Sequence, residues 1–203
     1  MKINKAADEI ISILNKQISV HNSASLVVSG GESPKNILNK LNMVEIQWEK
    51  IEIMLSDERL VDIDSSFSNE KNLRENFLKN YAVDAKYKSI RDYEIKLKAC
   101  HIAILGYGLD GHFASLFPEY LNDDNFFSIN RNCKILKTVP LGNPCVERLT
   151  LNMSFFSKVE NIFLIINSVE KLKVLEDAKN NKKLPLYHLL KNKFNKIKFI
   201  NDF

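Results

Sequence analysis

Ile162-Phe163-Leu164-Ile165-Ile166 is the segment that most restricts how this chain folds. Five consecutive apolar residues offer no polar position for a solvent face, so a strand here must be covered on both sides. The interior of a parallel sheet packed between helices meets that condition. Other short apolar runs make a similar demand. Leu26-Val27-Val28 ends in Ser29-Gly30-Gly31, and His101-Ile102-Ala103-Ile104-Leu105 ends in Gly106-Tyr107-Gly108. Ile51, Ile53 and Leu55 alternate with Glu52 and Met54 and lead into a polar stretch from Ser56 to Ser68. Strands are also expected at Ile135 to Val139 and Ile197 to Ile200.

Helical spacing separates these runs. Ile3, Ala6, Ala7, Ile10, Ile11 and Leu14 recur on one face of an opening helix. Ser33 followed by Pro34 predicts a helix start, with serine as the cap and proline at the first helical position. Asn69 to Leu78 and Val169 to Ala178 read as helices, and Pro185 as the start of a short one. Residues 113–133 lack periodicity and read as loop with short helix. Strands alternating with helices imply an α/β fold, here a single domain over residues 1–203 with a twisted, mostly parallel, Rossmann-like sheet flanked by helices. Ligands of such sheets bind beyond the carboxyl ends of the strands. Three of the runs end there in polar or glycine-rich loops, which meet in one crevice if their strands are neighbours.

Composition narrows the function classes. At 203 residues and 45% hydrophobic content the chain can bury a core without disulfides or metal. Its formal charge of +4 fits a small anionic substrate. No Lys/Arg run is interleaved with aromatics, so no nucleic-acid partner is expected, and the lysine-rich stretch from Lys179 to Lys198 reads as a solvated face. Three cysteines, Cys100, Cys133 and Cys145, are widely spaced without a C-x-x-C pair, which argues against a disulfide framework and a zinc site. Met1 to Lys5 lacks the apolar run of a signal peptide, and no apolar stretch is long enough to span a bilayer. The expectation is a cytoplasmic protein with no membrane partner.

Three loops carry the chemistry. Ser29-Gly30-Gly31-Glu32-Ser33-Pro34-Lys35 lets the backbone approach a ligand closely ahead of a helix, a combination that favours phosphate. A plain strand-to-helix turn fits that segment equally well. Asp57-Glu58-Arg59 sets a carboxylate and an anion-clamping guanidinium at a strand end. Gly106 to Pro118 contains G-x-G-x-x-G, the formal dinucleotide pattern. No clean strand-helix-strand unit follows, however, and Asp110 would set a negative charge where a pyrophosphate should sit. Its telling feature is Asp110 two residues before His112 in a glycine-rich turn. Imidazole, with an ordinary pKa near ~6.5, can act as a base at neutral pH. His21, His101 and His188 stand outside any motif.

Together these segments resemble the 6-phosphogluconolactonase family. The resemblance runs in register from about Leu26 to Lys171. It takes in the Ser-Gly-Gly loop, Trp48 ahead of the strand that reaches Arg59, Ser68-Asn69, the whole of Gly106 to Pro118, Glu147-Arg148-Leu149-Thr150-Leu151 and Lys171, with a weaker echo at Leu184-Pro185 and Asp202. The chain departs from the family's pattern at Glu32, where a small hydroxyl residue is usual, and at Ser168, where glycine precedes the lysine. Glu32 is expected to face solvent or pair with Lys35. Glucosamine-6-phosphate deaminases of the same superfamily look similar at the first loop and at Asp-Gly-His. They have tyrosine where Arg59 stands and a glutamate where Phe117 stands.

The resemblance implies hydrolysis of 6-phospho-D-glucono-1,5-lactone to 6-phosphogluconate in the oxidative pentose phosphate pathway, without metal or organic cofactor. On it, His112 is the base that deprotonates water, and Asp110 orients His112 or a sugar hydroxyl. Arg59 holds substrate or steadies the oxyanion, and Asp57 contacts a sugar hydroxyl or fixes Arg59. Gly30, Gly31, Ser33, Arg148 and Lys171 receive the phosphate. A monomer or small homo-oligomer is expected. The alternatives are a deaminase or isomerase of the same superfamily, and a non-catalytic sugar-phosphate sensor.

Overall fold

The computed structural model describes residues 1–92, 97, 99–193 and 196–203; Phe194 and Asn195 of the lysine-rich stretch lie outside them. The chain opens with helix α1 (Ile3–His21), whose Ala6, Ala7, Ile10, Leu14 and Ile18 are buried at the spacing of one helical face. Ile10 and Leu14 are fully enclosed, so truncating either to alanine costs about 2–5 kcal/mol. The helix stops where Asn22 takes a left-handed conformation and returns its N–H to the Ile18 carbonyl.

Six strands form the main sheet: β1 (Ala24–Val28), β2 (Ile51–Leu55), β4 (Lys86–Lys88), β5 (Ile102–Leu105), β8 (Asn161–Ile166) and β9 (Ile197–Asn201). Their order is β4-β2-β1-β5-β8-β9, and each neighbouring pair is parallel. All five apolar residues of β8 are buried, as an unbroken apolar run requires. Helices α2 (Lys35–Leu41), α3 (Asn69–Asn76), α4 (Asp124–Phe127), α5 (Met153–Lys158), α6 (Val169–Ala178) and α7 (Pro185–Lys193) join α1 in flanking the sheet.

The chain builds outward from β1 to β2 and then crosses back to β5 on the other side of β1. The strand order therefore reverses between β1 and β5, the place where open α/β sheets bind ligands. The loops expected to converge follow β2, β1 and β5, which are adjacent strands, so the convergence inferred from the sequence is met.

Two local expectations are corrected. Asp57-Glu58-Arg59 is not part of a polar loop. It is strand β3 (Asp57–Arg59) of a second sheet, antiparallel, in the order β3-β7-β6 with β7 (Arg148–Leu151) and β6 (Ile135–Lys137). One residue joins the two sheets. Ser56 donates its N–H to the Val28 carbonyl at the end of β1 and accepts from the Leu151 N–H at the end of β7. Ser33 also does not cap α2: the residue before that helix is Pro34, and no side chain caps it. The Ser33 hydroxyl instead accepts from Lys171 Nζ.

Candidate active site

A cleft of about 140 Å³ opens beyond the carboxyl ends of β1 and β5. Its wall takes Ser29, Gly31 and Ser33 from the loop after β1, Arg59 from β3, Gly106, Tyr107, Gly108 and His112 from the loop after β5, and Arg148 from β7. Both sheets thus contribute, and the second sheet supplies both arginines.

His112 faces this cleft with its side chain 30% exposed. Its Nδ1 lies 2.5 Å from Asp110 Oδ1, which also accepts the His112 backbone N–H at 3.2 Å. Burial alone would raise the Asp110 pKa. The hydrogen bond and charge of His112 outweigh it and hold the carboxyl below its ordinary value. An ionised carboxylate only accepts, so Nδ1 carries a proton, and in the neutral imidazole Nε2 is the nitrogen that keeps its lone pair. Gly108 makes the pair possible: a Cβ there would overlap the His112 ring at Cε1 and Nδ1 and lie 2.6 Å from Asp110 Oδ1. Gly111 turns the loop at φ +77°. Beyond His112 the chain is anchored. Phe113 and Leu116 are fully buried, and Phe113 packs edge-on against Phe156 at 5.4 Å. Ala114 between them adopts φ 48°, a strained conformation for alanine held by those anchors. The Phe117 ring lies 4.7 Å from that of His112 and 5.5 Å from the Arg148 guanidinium.

Asp57 is buried, and its carboxylate is taken by two hydroxyls, Ser56 Oγ at 2.9 Å and Ser115 Oγ at 2.7 Å. It thereby ties β3 to the loop after His112. It does not fix Arg59, as one sequence expectation had it. The Arg59 Nη1 donates instead to Asn69 Oδ1 at 2.6 Å and to the Phe67 carbonyl at 3.1 Å. Side chains alternate along a strand, but Ser56 and Ser115 reach Asp57 first. Glu58 is fully buried and accepts backbone N–H groups from Arg59, Asn69 and Glu70, which fastens the start of α3. Burial raises its pKa despite those donors. Arg148 is 4% exposed and donates to the carbonyls of Leu141 and Pro144. Burial lowers its pKa while the Asp57 charge raises it, and the guanidinium stays protonated at neutral pH.

The glycine pair divides its work. Gly31 borders the cleft, and a Cβ there would meet open space. Gly30 is buried, and its close approach is to Asn69: a Cβ would stand 2.6 Å from Asn69 Cγ and 2.9 Å from its Cα. Of the two glycines, Gly31 lines the cleft and Gly30 packs against Asn69 behind it. Glu32 points outward, with 79% of its side chain exposed, and pairs with Lys35 Nζ at 2.7 Å. Lys171, in the first turn of α6, donates from Nζ to Ser33 Oγ at 2.7 Å and sits 5.5 Å from the Tyr107 ring centre. The Tyr107 hydroxyl returns to the Lys171 carbonyl at 2.8 Å. Burial lowers the Lys171 pKa. Ser168 accepts the Lys171 N–H and caps α6, a use for a hydroxyl that glycine would lack.

Of the nine residues singled out, Gly31, Ser33, Asp57, Arg59, His112 and Arg148 line the cleft. Asp110 and Lys171 act one contact away, and Gly30 packs behind. The sequence reading assigned no role to Asn69 or Ser115, and used Phe117 only to set the chain apart from the deaminases. All three stand inside motifs that were quoted, so the signal was present without the contact that gives it meaning. A second cavity, about 200 Å³, lies at the opposite strand ends around Ser25, Cys100 and His101. The Ser25 N–H and hydroxyl both meet His101 Nδ1 there, a structural use of that histidine. Cys100 is buried, with its thiol pushed up to about 11. Among the described residues no group of three or more His, Cys, Asp or Glu could hold a metal, and no helix is long and apolar enough to cross a membrane.

Residues 2–197 match the model of a family described as glucosamine-6-phosphate isomerases/6-phosphogluconolactonase. A 6-phosphogluconolactonase of Helicobacter pylori strain 26695 is 35% identical over 180 residues, covering 81% of this chain and 76% of that protein. The crystal structure of a 6-phosphogluconolactonase from Shewanella baltica superposes with a TM-score of 0.85 at 26% identity, covering 98% of this chain and 92% of the other. The corresponding structure from Thermotoga maritima gives 0.81 at 24% identity over 99% and 97%, a likeness of fold.

Proposed function

The chain belongs to the glucosamine-6-phosphate isomerase/6-phosphogluconolactonase family, and from that premise we infer that it is a lactone hydrolase opening 6-phospho-D-glucono-1,5-lactone to 6-phosphogluconate in the pentose phosphate pathway. We read residues 1–203 as one lactonase domain working in the cytoplasm. The observation that carries the mechanism is the His112–Asp110 pair, 2.5 Å apart, at a cleft bordered by Arg59 and Arg148.

Water attacks the lactone carbonyl carbon while His112 Nε2 takes a proton from it. The carbonyl π pair moves to oxygen, and the resulting oxyanion is steadied by the Arg59 guanidinium. The pair then returns, the ring C–O bond breaks, and the leaving alkoxide takes the proton from the imidazolium. One water is consumed, and a hydroxyl and a carboxyl are formed. Asp110 holds the ring so that Nε2 faces the substrate, and its charge stabilises the imidazolium between the two proton transfers. Asp57 holds the floor of the cleft through Ser56 and Ser115.

The phosphate is received at the side of the cleft where Ser33 meets Lys171, with Gly31 leaving room beside it and Arg148 adding charge. Lys171 suits this role because its ammonium is half-buried and its contacts are a hydroxyl and an aromatic face. Phe117 packs against the His112 ring from the position where the deaminases carry a glutamate, which leaves a ring-opening deaminase without its acid at that place.

The test is turnover of 6-phosphogluconolactone, corrected for spontaneous opening, for the protein and for His112→Asn. General-base catalysis contributes about 10² to 10⁴-fold, and kcat is expected to fall by that factor while the circular dichroism spectrum is unchanged. A folded variant with wild-type turnover would remove His112 from the mechanism.

A further inference from the structure

Asn69 is the first residue of α3, is 2% exposed, and borders the cleft between Arg59 and the loop after β1. It bonds to every residue of β3. Its Nδ2 donates to the Asp57 carbonyl at 2.9 Å, its backbone N–H donates to Glu58 Oε1 at 2.8 Å, and its Oδ1 accepts from Arg59 Nη1 at 2.6 Å. The first of these bonds fixes the amide: with Nδ2 committed to a carbonyl, only Oδ1 can face Arg59. The second fixes the backbone from which the amide hangs, because Glu58 is fully enclosed and also accepts from Glu70 at 2.6 Å. Gly30 leaves the space the side chain occupies, since any Cβ at that position would overlap it. The Gly30 carbonyl in turn accepts from Asn72 Nδ2, one turn further along α3.

We propose that Asn69 is a positioning residue that aims the Arg59 guanidinium at the reacting carbonyl, with Gly30 and Glu58 holding Asn69 in place. This rests on the reading that Arg59 steadies the oxyanion. A guanidinium on a long side chain has many rotamers and loses them most readily when one N–H is held by a fixed acceptor. Asn69 is such an acceptor, neutral, so that it orients Arg59 without cancelling the charge the transition state uses. Its near-complete burial leaves little surface for substrate, so its influence runs through Arg59.

The test is a double-mutant cycle on lactone hydrolysis with Arg59→Ala, Asn69→Ala and the double variant, each checked by thermal unfolding. A misplacement of about 1 Å at a catalytic group costs on the order of 10²-fold. Each single variant is expected to lose kcat on that order with little change in KM, and the double variant to be no slower than Arg59→Ala. Losses that multiply in the double variant, or a wild-type kcat in Asn69→Ala, overturn the positioning role and leave the reading of Arg59 intact. A wild-type kcat in Arg59→Ala sinks that reading itself, and the proposal with it. Should Asn69→Ala not fold, Asn69→Asp keeps the volume. Its carboxylate lacks the donor for the Asp57 carbonyl and neutralises Arg59. The same kcat loss, again absent on the Arg59→Ala background, is expected, and wild-type kcat in Asn69→Asp overturns the proposal.

Discussion

Gly108→Ala is the sharpest available perturbation of the proposed base, because it adds one methyl group and removes nothing. Gly108 does not occupy the left-handed region that would penalise alanine, so the substitution acts through contact alone. The new Cβ would overlap His112 at Cε1 and Nδ1 and lie 2.6 Å from Asp110 Oδ1. Carbon contacts relax near about 3.5 Å, so ring and carboxylate must retreat by roughly 1 Å. The ring has somewhere to go, since 30% of the His112 side chain is exposed and the cleft lies beside it. The strain is therefore relieved by tilting the imidazole, and stability changes little. Catalysis does not escape, because Nε2 leaves the line of attack. A displacement of about 1 Å costs on the order of 10²-fold in rate, equivalent to about 2.7 kcal/mol in the barrier. Steady-state hydrolysis of 6-phosphogluconolactone is expected to give kcat lowered by that factor with KM nearly constant, beside an unfolding midpoint close to that of the parent. A Gly108→Ala protein with parental kcat would refute the reasoning, since His112 could then work from a position the structure does not give it.

Two further outcomes follow from the phosphate side of the cleft. Lys171→Ala removes a charge-assisted contact and should weaken a phosphorylated inhibitor by about 1.5–3 kcal/mol while leaving an unphosphorylated analogue nearly unaffected, as read by competitive inhibition; equal losses for both would assign Lys171 elsewhere. Glu32→Ser should leave KM unchanged at low and moderate salt, because Glu32 points to solvent and pairs with Lys35; a salt-sensitive drop in KM would mean that its carboxylate faces the ligand.

The sequence by itself determined the sheet. An unbroken run such as Ile162 to Ile166 has no face it can show to water, and that alone requires a strand covered on both sides. It also determined which loops matter, because glycines and polar residues at strand ends are local features. Glu32 was resolved as well, since an acid three residues before a lysine on a turn into a helix has an ionic partner within reach. Tertiary structure alone decided three things. Asp57-Glu58-Arg59 is too short and too charged to declare itself a strand, and it becomes one only because Arg148 to Leu151 pairs with it in antiparallel register. The partner of Arg59 is ten residues away in sequence, on a helix whose start is fastened by a buried glutamate, and no local rule prefers Asn69 to Asp57, two residues before Arg59. Ser33 has the residue type and position of a helix cap and is drawn off by Lys171 from a helix 138 positions later in the chain. In the last two cases a side chain had more than one partner open to it, and which one it took was fixed by distances that only the packed fold defines.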